Sequence, residues 1–155
     1  MIDTEFSQRL KLLAGTPVSE FVLHREPMLL LDELVDLGPE YAICEWIVRA
    51  DHKFLDPDKG VPAYLGIEYM AQCIAIHAGA RERVDGFPPP IGLLLGTRQY
   101  KADVQYFEIG SRYIVECNEQ VRNPNGMGSF DCRILMNERV IVNARLAVLQ
   151  QPRRT

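Results

Sequence analysis

Residues 63–80 (AYLGIEYMAQCIAIHAGA) are almost wholly apolar or small, and Pro62 just before them suits the opening of a helix. A helix that is apolar on every side must be wrapped by protein or cross a membrane. Glu68, Gln72 and His77 interrupt the run, and no second hydrophobic segment follows. A membrane span is therefore not expected, and the rest of the chain must supply a shell around this helix.

The chain has 155 residues, which suits one domain over residues 1–155 with one core. Residues 4–14 place Phe6, Leu10, Leu12 and Leu13 near helical spacing, with Gly15 as a stop, so 1–20 reads as a short helix and lead-in. The run from Met28 to Val35 reads as the start of a strand, Gly38-Pro39 as a turn, and residues 41–49 as a second strand. Residues 51–60 (DHKFLDPDKG) are a polar loop. After the helix, Gly86 and Pro88 to Pro90 break the chain, and strands are expected over 91–104, 113–121, 129–136 and 140–150. The last two form a hairpin around Asn137-Glu138. The tail 151–155 is expected to be loose. Strands before and after one buried helix, with no crossover helices, point to α+β: a curved antiparallel sheet around a central helix.

With 47% apolar and 25% charged residues the composition is ordinary for a globular chain, and a net charge of −4 argues against a nucleic-acid partner. The N-terminus lacks a basic region followed by an apolar run, so a secretory signal is not expected. Cys44, Cys73, Cys117 and Cys132 lie far apart in apolar runs without CxxC spacing. They read as buried reduced thiols of a cytoplasmic protein rather than a metal site.

Glu68 is the residue that needs explaining, because an unpaired carboxylate inside the most apolar segment costs several kcal/mol. Gln72, one turn later on the same face, is placed to bond and orient it. A buried acid satisfied by Gln72 and an arginine such as Arg98 is an equally weighted structural reading. His77 lies nine residues on, which at about 100° per residue puts it on the opposite helix face. His52, in the loop before the helix, and His24, ahead of the first strand, are candidate partners for the acid. A lone loop histidine is more often simply solvated. No GxSxG, phosphate loop, HExxH or dinucleotide fingerprint is present, so no cofactor or metal is expected.

The stretch His24-Arg25-Glu26-Pro27-Met28-Leu29-Leu30-Leu31-Asp32 resembles the HRxPxLLxD opening of the 3-hydroxyacyl-acyl-carrier-protein dehydratases. Residues 62–72 resemble the start of that family's central helix, where an acid is followed four residues later by Gln. Residues 95–104 with Phe107-Glu108-Ile109-Gly110 resemble its central strand and the turn after it. The matches are collinear across about residues 22–150. The resemblance implies a hotdog fold, a curved sheet around the helix, working as a dimer on an acyl chain carried by phosphopantetheine. It implies that Glu68 is the acid assisting loss of the 3-hydroxyl and Gln72 its orienter. Backbone amides near Gly60 and Ala63 would hold the thioester carbonyl.

One departure stands out. The family's loop carries its catalytic histidine in a GHFPG-type motif, and this chain has Phe54-Leu55-Asp56-Pro57-Asp58-Lys59-Gly60-Val61 in a shorter loop. The sequence thus looks like the divergent dehydratase-like branch encoded with aryl-polyene pathways. His52, nearer the helix in the chain, or His24 would take the missing role. The expected function is a dehydratase-like lyase acting on 3-hydroxyacyl thioesters in fatty acid or polyene synthesis. Its partners would be an acyl carrier protein or a CoA-linked acyl substrate, and the assembly a homodimer or a heterodimer with a related hotdog chain. A non-catalytic acyl-binding subunit and an acyl thioesterase are the alternatives. Arg81, Arg83, Arg98 and Lys101 are candidates for a carrier-protein patch.

Overall fold

The computed structural model describes residues 3–153. A short helix α1 (Thr4–Lys11) opens the chain, capped by Asp3, whose carboxylate accepts from the amides of Glu5 and Phe6. Strands β1 (Glu33–Gly38) and β2 (Tyr41–Ile47) form a hairpin, and the two-residue strand β3 (Val61–Pro62) leads through a 3₁₀ turn into α2 (Gly66–Val84). Then follow β4 (Gly92–Ala102), the two-residue β5 (Tyr106–Phe107), β6 (Arg112–Arg122), β7 (Met127–Met136) and β8 (Arg139–Gln150). Six of these strands make one antiparallel sheet in the order β1-β2-β6-β7-β8-β4, and β3 pairs with β5. Bulges in β1, β4, β6 and β8 bend the sheet, so that it curls around α2. This is the α+β hotdog arrangement.

The inner face of the sheet and α2 form one apolar core. Trp46 stacks on Tyr69 of the helix with ring centroids 3.9 Å apart, and Phe107 and Tyr113 close the same cluster. Gly79 lets α2 approach the preceding segment: a Cβ there would lie 1.8 Å from the carbonyl oxygen of Phe21. All four cysteines are buried and free, with the Cys73 and Cys117 sulfurs 3.5 Å apart. Burial pushes the Cys73, Cys117 and Cys132 thiols up, so they stay protonated and inert.

Three elements differ from the sequence reading. Residues 28–32 are not strand: backbone groups of Met28 and Leu30 bond the Gln72 side chain instead of a neighbouring strand. The α-helix begins at Gly66 rather than 63, because Pro62 ends β3 and the 3₁₀ turn intervenes. Within the tail, the Gln151 amide bonds the Ile91 carbonyl and Arg153 pairs with Glu82 and Asp85; residues 154–155 lie outside the described residues. The hairpin at Asn137-Glu138 turns with both residues at positive φ, 50° and 67°, as a two-residue connection requires.

His77 is fully buried, and its Nε2 donates to the Gly38 carbonyl at 2.9 Å. Burial pushes its pKa down to about 4, opposed by the hydrogen bond to Gly38 and by Glu119, with the nearby Arg81 and Arg122 acting in the same direction as burial. An unfolded chain takes up this proton near the ordinary value of 6.5, so the folded state holds its full advantage above that pH. The advantage fades as pH falls from about 6.5 to about 4, by on the order of 3 kcal/mol. Urea unfolding of the protein and of His77→Leu at pH 7.5 and 4.5 checks this. The gap between them is expected to move by that amount in favour of the variant at the lower pH.

Candidate active site

The site grows from one side chain, Gln72. It lies on the first turns of α2, is fully buried, and has all its near partners satisfied. Its Oε1 accepts from the Leu30 amide at 2.8 Å, and its Nε2 donates to the Met28 carbonyl at 2.7 Å and to Glu68 Oε1 at 2.9 Å. One amide therefore fixes the acid one turn before it and straps residues 28–30 onto the helix. The bond from Gln72 to Glu68 is the one its i, i+4 spacing predicts.

The strap also brings in His24. Its Nε2 stands 3.8 Å from Glu68 Oε1, and each side chain is 37% exposed. Its Nδ1 is buried without a hydrogen-bond partner among the described residues. The Arg25 guanidinium holds the backbone here, donating to the carbonyls of Val22 at 2.8 Å and His24 at 2.7 Å, and the Glu26–Pro27 peptide is cis. Glu68 is thus not sealed in the core: it opens onto a cavity of about 220 Å³ that also meets His24. From there the cavity runs along α2 past Ala71, Ala75 and Ala78, facing Leu93 and Leu94 of β4, Phe130 of β7 and Val148 of β8.

His52 is not part of this group. Its Nδ1 accepts from the Phe54 amide at 3.1 Å and its Nε2 bonds the Tyr69 hydroxyl at 2.9 Å. Tyr69 is the next residue along the helix and points about 100° away from Glu68, into the Trp46 cluster. Burial lowers the His52 pKa and keeps the ring neutral as a staple of its loop. Nearness in the chain was a poor guide to nearness in space.

The amides expected to hold a carbonyl are already engaged. The Gly60 amide donates to Asp56 O and the Ala63 amide to Gln105 O, each at 2.9 Å. Neither is free to bind a ligand in this arrangement. Among the four candidate surface cations, Arg81 donates to the Pro39 carbonyl and Arg83 pairs with Glu20 at 3.0 Å, while Arg98 and Lys101 remain exposed on β4. The structure thus brings Glu68, Gln72 and His24 together, and leaves His52, Gly60 and Ala63 outside. The sequence reading missed the far wall. Leu93-Leu94-Leu95 carries no alternation to mark which side chain faces the helix, whereas in β8 Val142, Ala144, Leu146 and Val148 recur at every second position and share a face.

No three His, Cys, Asp or Glu side chains among the described residues are grouped to hold a metal ion, and no helix there is long and apolar enough to cross a membrane. Chemically, the arrangement offers a carboxyl and an imidazole on one rim of an apolar groove. Such a pair can remove a proton from one carbon of a ligand and deliver one to its neighbour.

Residues 16–155 match the family model of the ApeP-like proteins, described as ApeP dehydratase. No protein of curated function matches the sequence. Among solved structures, the dehydratase heterocomplex ApeI:P from Xenorhabdus doucetiae is similar at 29% identity and a TM-score of 0.82, over 87% of this chain and 91% of that one. The E. coli PaaI protein of the phenylacetic acid degradation operon is similar at 9% identity and a TM-score of 0.60, over 78% and 80% of the two chains. A hypothetical thioesterase from Streptococcus pneumoniae, solved with coenzyme A, is similar at 10% identity and a TM-score of 0.61, over 79% and 88%. The last two likenesses bear on the fold alone.

Proposed function

Because the chain belongs to the ApeP-like dehydratase family, we propose that Glu68 and His24 are the acid and base that remove water from a 3-hydroxyacyl thioester. The observation that carries this is the 3.8 Å approach of His24 Nε2 to Glu68 Oε1 at the mouth of the groove. In the proposed step His24 takes the proton from the carbon beside the thioester carbonyl. The electron pair of that C–H bond forms the C=C bond. The C–O bond at the next carbon breaks, and the hydroxyl leaves as water with the Glu68 proton. The pair resets when the imidazolium proton returns to the carboxylate it faces. Gln72 acts as a positioning residue throughout.

The acyl chain lies in the groove along α2, and the thioester belongs to the phosphopantetheine of an acyl carrier protein or of coenzyme A. Fatty acid or polyene synthesis is the setting in which such a substrate arises. Arg98 and Lys101, exposed on β4, suit an acidic carrier. Buried free cysteines suit a reducing compartment, the cytoplasm.

A hotdog partner belongs to the same proposal. β4 is one of the two outer strands of the sheet, and Ile91, Leu93 and Leu95 on or beside it are 41%, 47% and 49% exposed. An apolar sheet edge of this kind calls for a covering strand. The similar Xenorhabdus protein was solved in a heterocomplex, so a related hotdog chain is the proposed cover, with a second copy of this chain as the alternative.

The test is a 3-hydroxyacyl carrier protein incubated with this chain, alone and with its hotdog partner, read by mass. Loss of one water supports the reading. Release of free thiol in its place would favour the thioesterase, and an intact substrate with the partner present would sink the dehydratase. His52→Ala is expected to leave turnover within about twofold, while loss of its loop staple lowers stability by about 1 kcal/mol. A tenfold or larger fall in turnover would return a catalytic role to His52.

A further inference from the structure

Of the α2 side chains that line the groove, Glu68, Ala71, Ala75 and Ala78 are spaced three, four and three residues apart and so share one helix face, flanked by Ile74 and, near the end, His77. Each of these four is partly exposed, whereas Gln72, Cys73, Ile76 and His77 between them are buried. After the acid, this face carries only methyl groups, and Ile74 adds an apolar side wall, so the helix offers an extended chain an apolar bed to lie along. At the far end the wall changes character. His77, buried and already bonded to Gly38 O, borders the cavity together with Glu119 and Arg122, which pair at 2.6 Å. A methylene moving past Ala78 meets an imidazole and an ion pair beside Met127 and Leu149, where its burial gains little.

We infer that α2 measures its ligand: the groove accepts a linear acyl chain of about fourteen carbons and gains no affinity from longer ones. The figure comes from two lengths. From Glu68 to His77 is nine residues, or about 14 Å at 1.5 Å per residue. An extended chain advances roughly 1.2 Å per bond, so about eleven bonds follow the third carbon, which sits at Glu68. This inference rests on the reading of the groove as an acyl site, but not on the chemistry at its mouth.

Saturated acyl-pantetheine thioesters of four to eighteen carbons lack a 3-hydroxyl, so they test binding without turnover. Titration calorimetry on the assembled protein, hotdog partner included, should show affinity rising by up to about fourfold per methylene and levelling near fourteen carbons. Ala71→Phe should move the break to short chains, and Ala78→Phe should trim only the longest. Both new rings point into open groove, so at least one variant is expected to fold. Affinity that climbs steadily to eighteen carbons, that is flat throughout, or that ignores both substitutions would overturn the inference. Failure of the dehydratase reading shows itself differently, as no water lost from a 3-hydroxyacyl substrate that still binds with this length profile.

Discussion

Glu68→Gln is expected to lower the rate of water loss by about 10²–10⁴-fold while leaving the fold and substrate binding almost unchanged. The amide is nearly the same shape as the acid, and its oxygen still accepts from Gln72 Nε2, the bond that measures 2.9 Å in the native protein. What it lacks is the proton that the leaving hydroxyl needs. The side chain is 37% exposed, so no sealed charge is removed and the thermal midpoint should stay within about 2 °C. His24→Ala should cost turnover to a similar extent. Because the two groups act on one substrate, the double variant should lose much less than the product of the two single losses. A Glu68→Gln protein with full turnover would remove the acid from the mechanism. Single-turnover mass measurements with the substrate at saturation separate this loss from weak binding.

Gln72→Leu should do damage of another kind. Leucine fills a similar volume, but it strands the Leu30 amide and the Met28 carbonyl and releases Glu68. The buried Leu30 amide left without a partner costs about 1–3 kcal/mol and the half-buried Met28 carbonyl up to about 1 more, so a loss of roughly 2–4 kcal/mol is expected. For a chain of this size that is a fall of about 10 °C in the thermal midpoint. The strap over 28–30 also carries His24 toward the acid, so kcat should fall together with stability. Gln72→Glu makes the sharper comparison. It keeps an acceptor for Leu30 but cannot donate to Met28 or to Glu68, and it sets a second carboxylate beside the first. If Gln72→Leu melted like the wild type, the strap would not be holding the segment.

These two residues also mark how far the sequence could be read. The pairing of Glu68 with Gln72 is local, a matter of four residues on a helix, and periodicity alone revealed it. The central helix and the main antiparallel strands were legible for the same reason: each announces itself within a window of ten or twenty residues. His24 was harder to place, because its position follows from hydrogen bonds spanning 42 and 44 residues between Gln72 and the 28–30 segment. No pattern within residues 20–30 encodes those bonds. His52 looked closer because it precedes the helix, yet its neighbour on that helix is Tyr69. The two-residue pairing of β3 with β5 was invisible for a related reason, since Val61-Pro62 and Tyr106-Phe107 are too short to show alternation. That same pairing draws the Ala63 amide to Gln105 and takes it out of service as a carbonyl donor.

Strand β4 ends up with two duties. Leu93 and Leu94 form part of the groove wall, while the strand also lies at an edge of its sheet, with Leu93, Leu94 and Leu95 all more than 40% exposed. Whatever settles on that edge therefore touches the wall of the groove proposed to hold the ligand. Thermodynamic linkage makes the relation reciprocal: a ligand that firms the wall tightens the edge contact by the same factor by which that contact tightens the ligand. Assembly and substrate choice become one equilibrium rather than two. A change of companion can then retune which substrates are taken without altering a single residue at the chemical centre.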